Sequence, residues 1–199
     1  MSALQISPTG GPSGLSFYTH KTELRREGEK FYSRVTKRVF DLVLAALLLP
    51  VLLPVIAVLW VLIRRDGGAG FFGHRRIGHG GKVFRCWKIR TMVPNAEERL
   101  VKYLEDNPEA AAEWERDHKL TNDPRITRLG RFLRETSLDE LPQIWNVITG
   151  EMSFVGPRPV VRAEMRKYGH ARMAYLTLKP GITGLWQVSG RNDVSYAER

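Results

Sequence analysis

Two adjacent acidic residues, Asp139 and Glu140, are the strongest candidates for chemistry in this sequence. A carboxylate can attack phosphorus and form an acyl phosphate, which divides one displacement into two easier steps. Adjacent acids can also share a hard cation such as Mg²⁺ through one oxygen each. The residue types leave open which acid attacks and which binds metal, and an acidic pair at a helix start more often stabilises the helix than catalyses a reaction.

The segment around this pair, residues 137–147, predicts a helix. Ser137 is placed to cap it, Glu140 takes the third position of a capping box, and Pro142 falls within the first turns. The acidic pair would then lie at a helix N-terminus, where anions are stabilised.

Arginine is the side chain best suited to hold the phosphates of a substrate, because its planar guanidinium makes paired, charge-assisted hydrogen bonds. One arginine stands in a Gly-Pro-Arg-Pro segment, which is too stiff for a helix interior and presents that side chain from a rigid turn. The candidate phosphate-binding residues are Arg158, Arg90, Arg75 and Arg76, with Lys88 ranked below the arginines.

The charge balance favours a polyanionic partner. The 199 residues include 31 Lys and Arg against 21 Asp and Glu, a net charge of +10. Nucleic acid, an anionic lipid surface and a substrate with several phosphates all fit this excess. The single cysteine, Cys86, excludes an internal disulfide framework, and no Cys or His residues have the spacing of a zinc site. The sequence also lacks a Walker loop and a Gly-x-Gly-x-x-Gly motif, so a standard phosphate-binding loop is excluded.

Residues 42–63 contain no charged side chain and are mostly Leu, Val, Ala and Ile. This stretch has about 22 residues, and about 20 suffice to cross the apolar core of a bilayer. Pro50 and Pro54 lie near its middle, and each removes a helical N–H. A helix bent at the prolines could enter the membrane and leave by the same face, which would make the protein re-entrant and monotopic. An ordinary transmembrane anchor fits the pattern equally well.

Basic pairs flank this apolar segment, Lys37-Arg38 before it and Arg64-Arg65 after it, which indicates that both ends prefer the cytoplasmic side. Asp41 lies at the edge of the segment, three residues after Arg38. It can pair with that arginine where the chain enters the interface, or be an exposed acid at the helix end.

The rest of the chain predicts a mostly helical α+β fold. Residues 71–91 contain two short runs divided by His-Gly-Gly, which predicts a small β-hairpin. Residues 95–119 predict two helices, broken at Pro108 and opened by a capping box of Asn95 and Glu98.

Residues 126–134 predict a further helix with arginines at every third position. We expect a flexible N-terminal segment, residues 1–33, followed by one domain, residues 34–199, which includes the membrane helix at about residues 37–65.

Four linked motifs resemble the bacterial sugar transferase family, the monotopic polyprenyl-phosphate phosphoglycosyl transferases. The motifs are Lys37-Arg38-Val-Phe-Asp41, Lys88-Ile-Arg90-Thr-Met92, Ser137-Leu-Asp139-Glu140-Leu-Pro-Gln143 and Gly150-Glu-Met-Ser153-Phe-Val-Gly156-Pro-Arg158-Pro159. The resemblance runs from about residue 37 to the end of the chain.

The resemblance implies a re-entrant membrane helix, interfacial helices and a catalytic part on the cytoplasmic face of the bacterial inner membrane. It implies transfer of a hexose-1-phosphate from a UDP-sugar to undecaprenyl phosphate. Asp139 would carry the sugar phosphate covalently, with release of UMP. Mg²⁺ would assist, and Glu140 would either support the metal or deprotonate the acceptor.

Two further segments, 73–78 and 189–196, are similar to family members that start exopolysaccharide repeat units with galactose phosphate. UDP-galactose is therefore the first expected donor and UDP-glucose the second. Trp186, Gln187 and Arg191 could line the donor site or merely pack. The chain departs from the family pattern in lacking the four-helix membrane bundle of the larger members and in stopping at Arg199, where relatives of this length class continue.

The expected partners are the UDP-sugar, the polyprenyl phosphate and membrane lipids, with a second copy of the chain and other polysaccharide-assembly proteins as further candidates. Under the family reading the basic charge serves phosphates and an anionic leaflet, so nucleic acid is not an expected partner. Two alternatives remain at this stage. One is direct, metal-dependent transfer without a covalent intermediate, and the other is a non-catalytic, membrane-anchored nucleic-acid or assembly protein.

Overall fold

The computed structural model describes residues 35–184, and within them the fold is mostly helical with two small sheets. This confirms the expected α+β class. The helix α1 spans Lys37–Arg64 and runs without interruption through Pro50 and Pro54. By length and composition alone it could cross a membrane.

One side of α1 packs against the rest of the fold. Ala45 and Ile56 join a core cluster with Ile144, while Leu59 and Ile63 join another with Ile89 and Leu133. Much of the remaining apolar surface of the helix is exposed; the exposed fraction of Leu47 is 70% and that of Val51 is 66%. An uncovered apolar surface of this kind marks a membrane or protein contact rather than a water-facing side.

The predicted hairpin is confirmed. Strand β1, Phe71–Ile77, pairs antiparallel with β2, Val83–Ile89. The turn is a 3₁₀ segment, His79–Gly81, in which Gly80 and Gly81 have φ angles of 65° and 80°. A side chain is strained at such angles, so the two glycines allow the turn.

The two helices expected after the hairpin are present, and Pro108 begins the second of them. They are α2, Ala96–Asp106, and α3, Pro108–Asp117. Proline suits this first position because the N–H that it lacks would have no helical partner there. The capping-box prediction was wrong, because Asn95 precedes α2 without a side-chain capping hydrogen bond.

Helix α4, Arg128–Glu135, begins two residues later than the predicted 126. The Thr127 side chain accepts a hydrogen bond from Gly130 N at 2.8 Å and caps the helix, while Ile126 pairs with Met92 in a β-bridge. A Cβ at Gly130 would lie 2.1 Å from the carbonyl oxygen of Thr91, so only glycine lets this helix approach so closely.

The helix predicted over 137–147 is replaced by two shorter elements, a 3₁₀ turn, Leu138–Glu140, and helix α5, Gln143–Thr149. The predicted cap was wrong because Ser137 is left-handed, with φ of 59°, and its side chain makes no capping bond. Its N–H instead donates to the carbonyl of Arg134, so this residue closes the preceding helix.

A second sheet, which the sequence reading did not predict, joins residues far apart in the chain. Strand β3, Ser153–Val155, pairs in parallel with β4, Gly181–Thr183. Between them lie α6, Arg162–Met165, a 3₁₀ segment, Arg166–Ala171, and α7, Arg172–Thr177.

Candidate functional site

The acidic pair lies on the 3₁₀ turn that precedes α5. Asp139 is buried, with an exposed fraction of 6%, and the neighbouring Glu140 is half-buried. The turn packs against strand β2 of the hairpin. Asp139 is thus shielded from water, while Glu140 is partly exposed to it.

A lysine from β2 meets both acids. Lys88 Nζ lies 2.7 Å from Glu140 Oε1 and 3.3 Å from Asp139 Oδ2, so one ammonium bridges two carboxylates. This arrangement joins β2 to the acidic turn across 51 and 52 residues of sequence. The structure therefore brings together Asp139, Glu140 and Lys88.

A buried asparagine fixes the register between α5 and β2. Asn146 Oδ1 accepts a hydrogen bond from Trp87 N at 3.0 Å, and its Nδ2 donates to Arg85 O at 2.7 Å. The amide thereby takes the place of a neighbouring strand for β2. Because α5 follows the acidic turn directly, these bonds also hold that turn beside Lys88.

Burial raises the pKa of the Asp139 carboxyl above its ordinary value. The positive charge of Lys88 opposes the rise, and the negative charge of Glu140 adds to it. We expected a helix N-terminus to stabilise the ionised form of Asp139, but the largest influence on its pKa is burial, which favours the protonated form. Desolvation is larger than any stabilisation of the anion at this position.

Two cavities meet at the acidic pair. One, which we call the hairpin cavity, has a volume of about 660 Å³ and includes Asp139, His74, Thr91 and Arg134 in its lining. The other, the helix cavity, has a volume of about 590 Å³. It is lined by Leu48, Leu52, Cys86, Leu141, Gln143, Ile144, Phe154, Arg158, Pro159, Gly181, Ile182 and Thr183, together with four residues that it shares with the hairpin cavity.

The shared residues are Arg76, Lys88, Ser137 and Glu140. Asp139 lines the hairpin cavity and is absent from the lining of the helix cavity. A group bound in either cavity could thus reach Glu140 and Lys88. This geometry suits a reaction in which two substrates approach one pair of carboxylates.

The model of the bacterial sugar transferase family matches residues 32–199 of the chain. The chain belongs to the bacterial sugar transferase family.

Similar proteins extend this relationship. The UDP-galactose-lipid carrier transferase of Erwinia amylovora is 51% identical over 200 aligned residues, which cover 99% of this chain and 42% of that protein. The undecaprenyl-phosphate galactose phosphotransferase of Salmonella typhimurium is 54% identical over 84% of this chain and 35% of its own length. The exopolysaccharide production protein ExoY of Rhizobium meliloti is 51% identical over 83% of this chain and 74% of its own. The chain therefore spans less than half the length of the first two relatives.

Three of the predicted phosphate-binding arginines of this sugar transferase line the cavities, and Arg90 is the one that lines the hairpin cavity alone. Arg158 lines the helix cavity, and Arg76 lines both. Arg76 pairs with Glu164 at 3.5 Å, and burial lowers the pKa of its guanidinium from the ordinary value. Arg75 is exposed on β1, in register with Arg85, and lines neither cavity.

Arg90 is held by backbone and by one acid. Its Nε donates to Ala69 O at 2.5 Å, its Nη2 donates to Ile63 O at 3.2 Å and pairs with Asp66, and its Nη1 donates to the Met92 carbonyl. All three nitrogens are engaged in tying the end of α1 to the end of the hairpin. The lower-ranked Lys88 contacts the acidic pair instead, so these contacts favour the lysine over Arg90 as a reactive-site cation.

The sequence analysis did not name two residues that line the hairpin cavity, His74 and Arg134. His74 has a buried Nδ1 with no hydrogen-bond partner in the part of the chain that the structure describes. Burial lowers the pKa of this imidazole from its ordinary value. Arg134 donates from Nε to Thr91 Oγ1 at 2.8 Å and lines the same hairpin cavity.

Asp41 is 2% exposed, so the alternative of an exposed acid at the helix end was wrong. Its Oδ1 accepts hydrogen bonds from Ser153 Oγ and Phe154 N, both at 3.0 Å. These bonds tie the start of α1 to β3. Lys37 and Arg38 lie in the first turn of α1, while Trp186, Gln187 and Arg191 lie outside the described residues.

The sequence analysis names Asp139 and Glu140 as the candidate ligands of Mg²⁺. Among residues 35–184 no group of three or more His, Cys, Asp or Glu side chains is placed to hold a metal ion. Magnesium commonly binds one or two carboxylates and completes its shell with water and substrate phosphates. Two acids that border one cavity fit that pattern, provided that a phosphate-bearing substrate supplies the remaining oxygens.

Proposed function

We propose that this chain transfers hexose-1-phosphate from a UDP-sugar to undecaprenyl phosphate, with galactose as the first choice of sugar and glucose as the second. The product would begin an exopolysaccharide repeat unit. Two similar proteins, a UDP-galactose-lipid carrier transferase and an undecaprenyl-phosphate galactose phosphotransferase, support the substrate class. The observation that carries the proposal is a buried aspartate, paired with a lysine and a glutamate, at the junction of two cavities.

In the first step, a carboxylate oxygen of Asp139 attacks the phosphorus that bears the sugar. The bond from that phosphorus to the bridging oxygen breaks, and UMP leaves with the bonding electrons. An aspartyl phosphosugar, a mixed anhydride, remains on the enzyme. The attack requires ionised Asp139, and the ammonium of Lys88 at 3.3 Å favours that form against the cost of burial.

In the second step, a phosphate oxygen of the undecaprenyl phosphate attacks the same phosphorus. The bond to Asp139 breaks, and the carboxylate leaves with its electron pair to regenerate the free enzyme. Glu140 borders both cavities and can accept a proton from a protonated acceptor phosphate. Arg76 and Arg158 offer positive charge to the phosphate oxygens.

Asp139 and Glu140 would hold Mg²⁺ together with substrate phosphates. When bound, the ion would neutralise charge on the phosphate oxygens and make UMP a better leaving group.

We further propose that α1 is a re-entrant helix that seats the protein on the cytoplasmic face of the inner membrane. The exposed apolar side chains of α1 and the basic pairs at 37–38 and 64–65 support this topology. Protease protection in sealed inner-membrane vesicles, with one epitope before α1 and another after it, tests the topology. We expect both epitopes to be cleaved from the cytoplasmic side. Cleavage of only one would indicate an ordinary transmembrane helix.

Intact-protein mass spectrometry tests the reaction. The detergent-purified protein is incubated with Mg²⁺ and UDP-galactose or UDP-glucose, without lipid acceptor, beside the variant Asp139→Asn. We expect an added hexose-phosphate mass on the wild type and none on the variant. Lipid-linked product without any adduct would replace the covalent mechanism by direct transfer. Full activity of Asp139→Asn would favour a non-catalytic role for the acidic pair.

A further inference from the structure

The two cavities differ in chemistry although they share one wall. The hairpin cavity is lined by polar residues such as Thr91, Asn95 and Arg134 and by apolar residues such as Phe72, but by none from α1. The helix cavity has an apolar side, to which α1 contributes Leu48 and Leu52. Such a difference indicates two ligands of different character rather than one ligand that fills both cavities.

The apolar side of the helix cavity continues into the exposed surface of α1. Leu48 and Leu52 are four residues apart and therefore share one face of the helix. Both are half-buried, whereas the adjacent Leu47 and Val51 are 70% and 66% exposed. An apolar chain in contact with the exposed side of α1 could thus extend to Leu48 and Leu52 in the cavity.

The helix cavity also carries positive charge. Arg76 and Arg158 both line it, and the two guanidiniums are close enough for Arg158 to lower the pKa of Arg76. Glu164 offsets part of this charge through its pairing with Arg76 at 3.5 Å. A phosphate monoester in this cavity would meet two guanidinium groups, and Glu164 offsets only part of the charge of Arg76.

We infer that the helix cavity binds the polyprenyl phosphate acceptor and that the hairpin cavity receives the nucleotide sugar. The acceptor phosphate lies at the arginine side, and the first isoprene units lie against Leu48, Leu52 and Phe154. This inference rests on the proposed function and adds to it a separate place for each substrate. Asp139, which lines the hairpin cavity, receives the phosphosugar there, and the acceptor approaches past Glu140.

The inference predicts that apolar residues of the helix cavity affect the second half-reaction and leave the first unchanged. Leu52→Asn places an amide where the first isoprene units would pack. The matched control is Leu53→Asn, because Leu53 belongs to the same helix, is 55% exposed and is absent from the lining of either cavity. Phe154→Leu provides a second, milder variant of the cavity wall.

Each variant is examined in two assays. The first follows adduct formation from UDP-galactose without acceptor, and the second follows transfer to undecaprenyl phosphate at varied concentrations of each substrate. For Leu52→Asn we expect the KM for undecaprenyl phosphate to rise about tenfold, which is the effect of losing one apolar contact. Adduct formation and the KM for UDP-galactose should stay within about twofold of the wild type.

A short acceptor separates packing from indirect effects. With isopentenyl phosphate, which is too short to extend along the helix face, the difference between wild type and Leu52→Asn should disappear. A penalty that persists with the short acceptor would mean that the substitution disturbs the reactive carboxylates, and would overturn the inference.

Other outcomes also decide the matter. Equal losses in Leu52→Asn and Leu53→Asn would indicate a general effect on membrane seating and would contradict an acceptor site at this cavity. A raised KM for UDP-galactose in Phe154→Leu would assign the cavity to the donor. Failure of the wild type to form an adduct would instead refute the covalent step. The two KM values of Leu52→Asn would still decide which substrate the helix cavity binds, because only the KM for that substrate should rise.

Discussion

Asp41 and Asp139 are both buried, yet their surroundings differ in kind. Asp41 is held by two neutral donors, the Ser153 hydroxyl and the Phe154 N–H. Asp139 faces a lysine and a second carboxylate at the edge of a cavity. The first arrangement satisfies a buried carboxylate and anchors a helix. The second leaves a carboxylate whose protonation depends on charged neighbours, as expected of a reactive group.

Among substitutions of the two aspartates, we expect Asp139→Asn to have the largest effect on activity. An amide cannot form the acyl phosphate, so turnover to lipid-linked product should fall by at least about a thousandfold. The rate of UMP release in detergent micelles measures it. Asp41→Asn, assayed per folded molecule, should lose far less activity. A comparable loss in both variants would remove the functional distinction between the two aspartates.

The same substitution at Asp139 should affect stability in a defined pH range. The folded pKa of Asp139 is raised, so the folded state binds more protons than the unfolded state between the two pKa values. Asp139 therefore makes a stability contribution that is lost as the pH rises from its ordinary pKa of 3.8 through its folded pKa. We expect Asp139→Asn to unfold at a higher denaturant concentration than wild type at pH 7, and the gain to shrink on acidification. A constant difference from pH 3 to pH 8 would contradict a raised pKa.

Asp41→Ala should destabilise the fold by about 2–5 kcal/mol, because it leaves the Ser153 hydroxyl and the Phe154 N–H without their acceptor. Ser153 is fully buried, so water cannot readily replace the carboxylate. Urea unfolding in detergent, followed by far-UV circular dichroism, measures the change. A loss below about 0.5 kcal/mol would mean that Asp41 does not anchor α1.

Lys88→Met should move the acidic limb of the pH profile of adduct formation to higher pH, because the positive charge that opposes the raised pKa of Asp139 is gone. Rates of adduct formation between pH 4 and pH 8 test this. Lys82→Met is the control, since Lys82 is an exposed residue of the same hairpin. If the acidic limb of Lys88→Met lies at the same pH as that of the wild type, Lys88 does not control the protonation of Asp139.

The smallest effect is expected from Ser153→Ala. Asp41 keeps its hydrogen bond from Phe154 N, so the loss should be about 1 kcal/mol, well below that of Asp41→Ala. A double-mutant cycle with the two substitutions gives the coupling between the side chains. Independent, additive losses would show that the hydroxyl does not act through Asp41.

The parts of the fold that were predictable depend on local chemistry. Gly80 and Gly81 supply the positive φ angles of the hairpin turn, and Pro108 begins a helix where its missing N–H costs nothing. The acidic pair was predictable as a candidate because its motif is specific. These signals are contained within a few residues of sequence.

The parts that could not be predicted depend on contacts between distant residues. Ser153 and Asp41 are 112 residues apart, and β3 pairs with a strand that follows it by about 28 residues. The structural role of Arg90 was hidden for the same reason, because its acceptors lie in three separate segments. Ser137 looked like a helix cap by type, but its backbone is left-handed and its N–H bonds to Arg134 O of the preceding helix.

The most direct test of the central claim is to locate the covalent adduct. Wild-type protein is incubated with Mg²⁺ and UDP-galactose, quenched in acid, digested and analysed by fragmentation mass spectrometry. The peptide that contains Asp139 and Glu140 should carry one hexose phosphate, and the fragment ions should place it on Asp139. An adduct on Glu140, or on a peptide that contains neither acid, would contradict the assignment of Asp139 as the nucleophile.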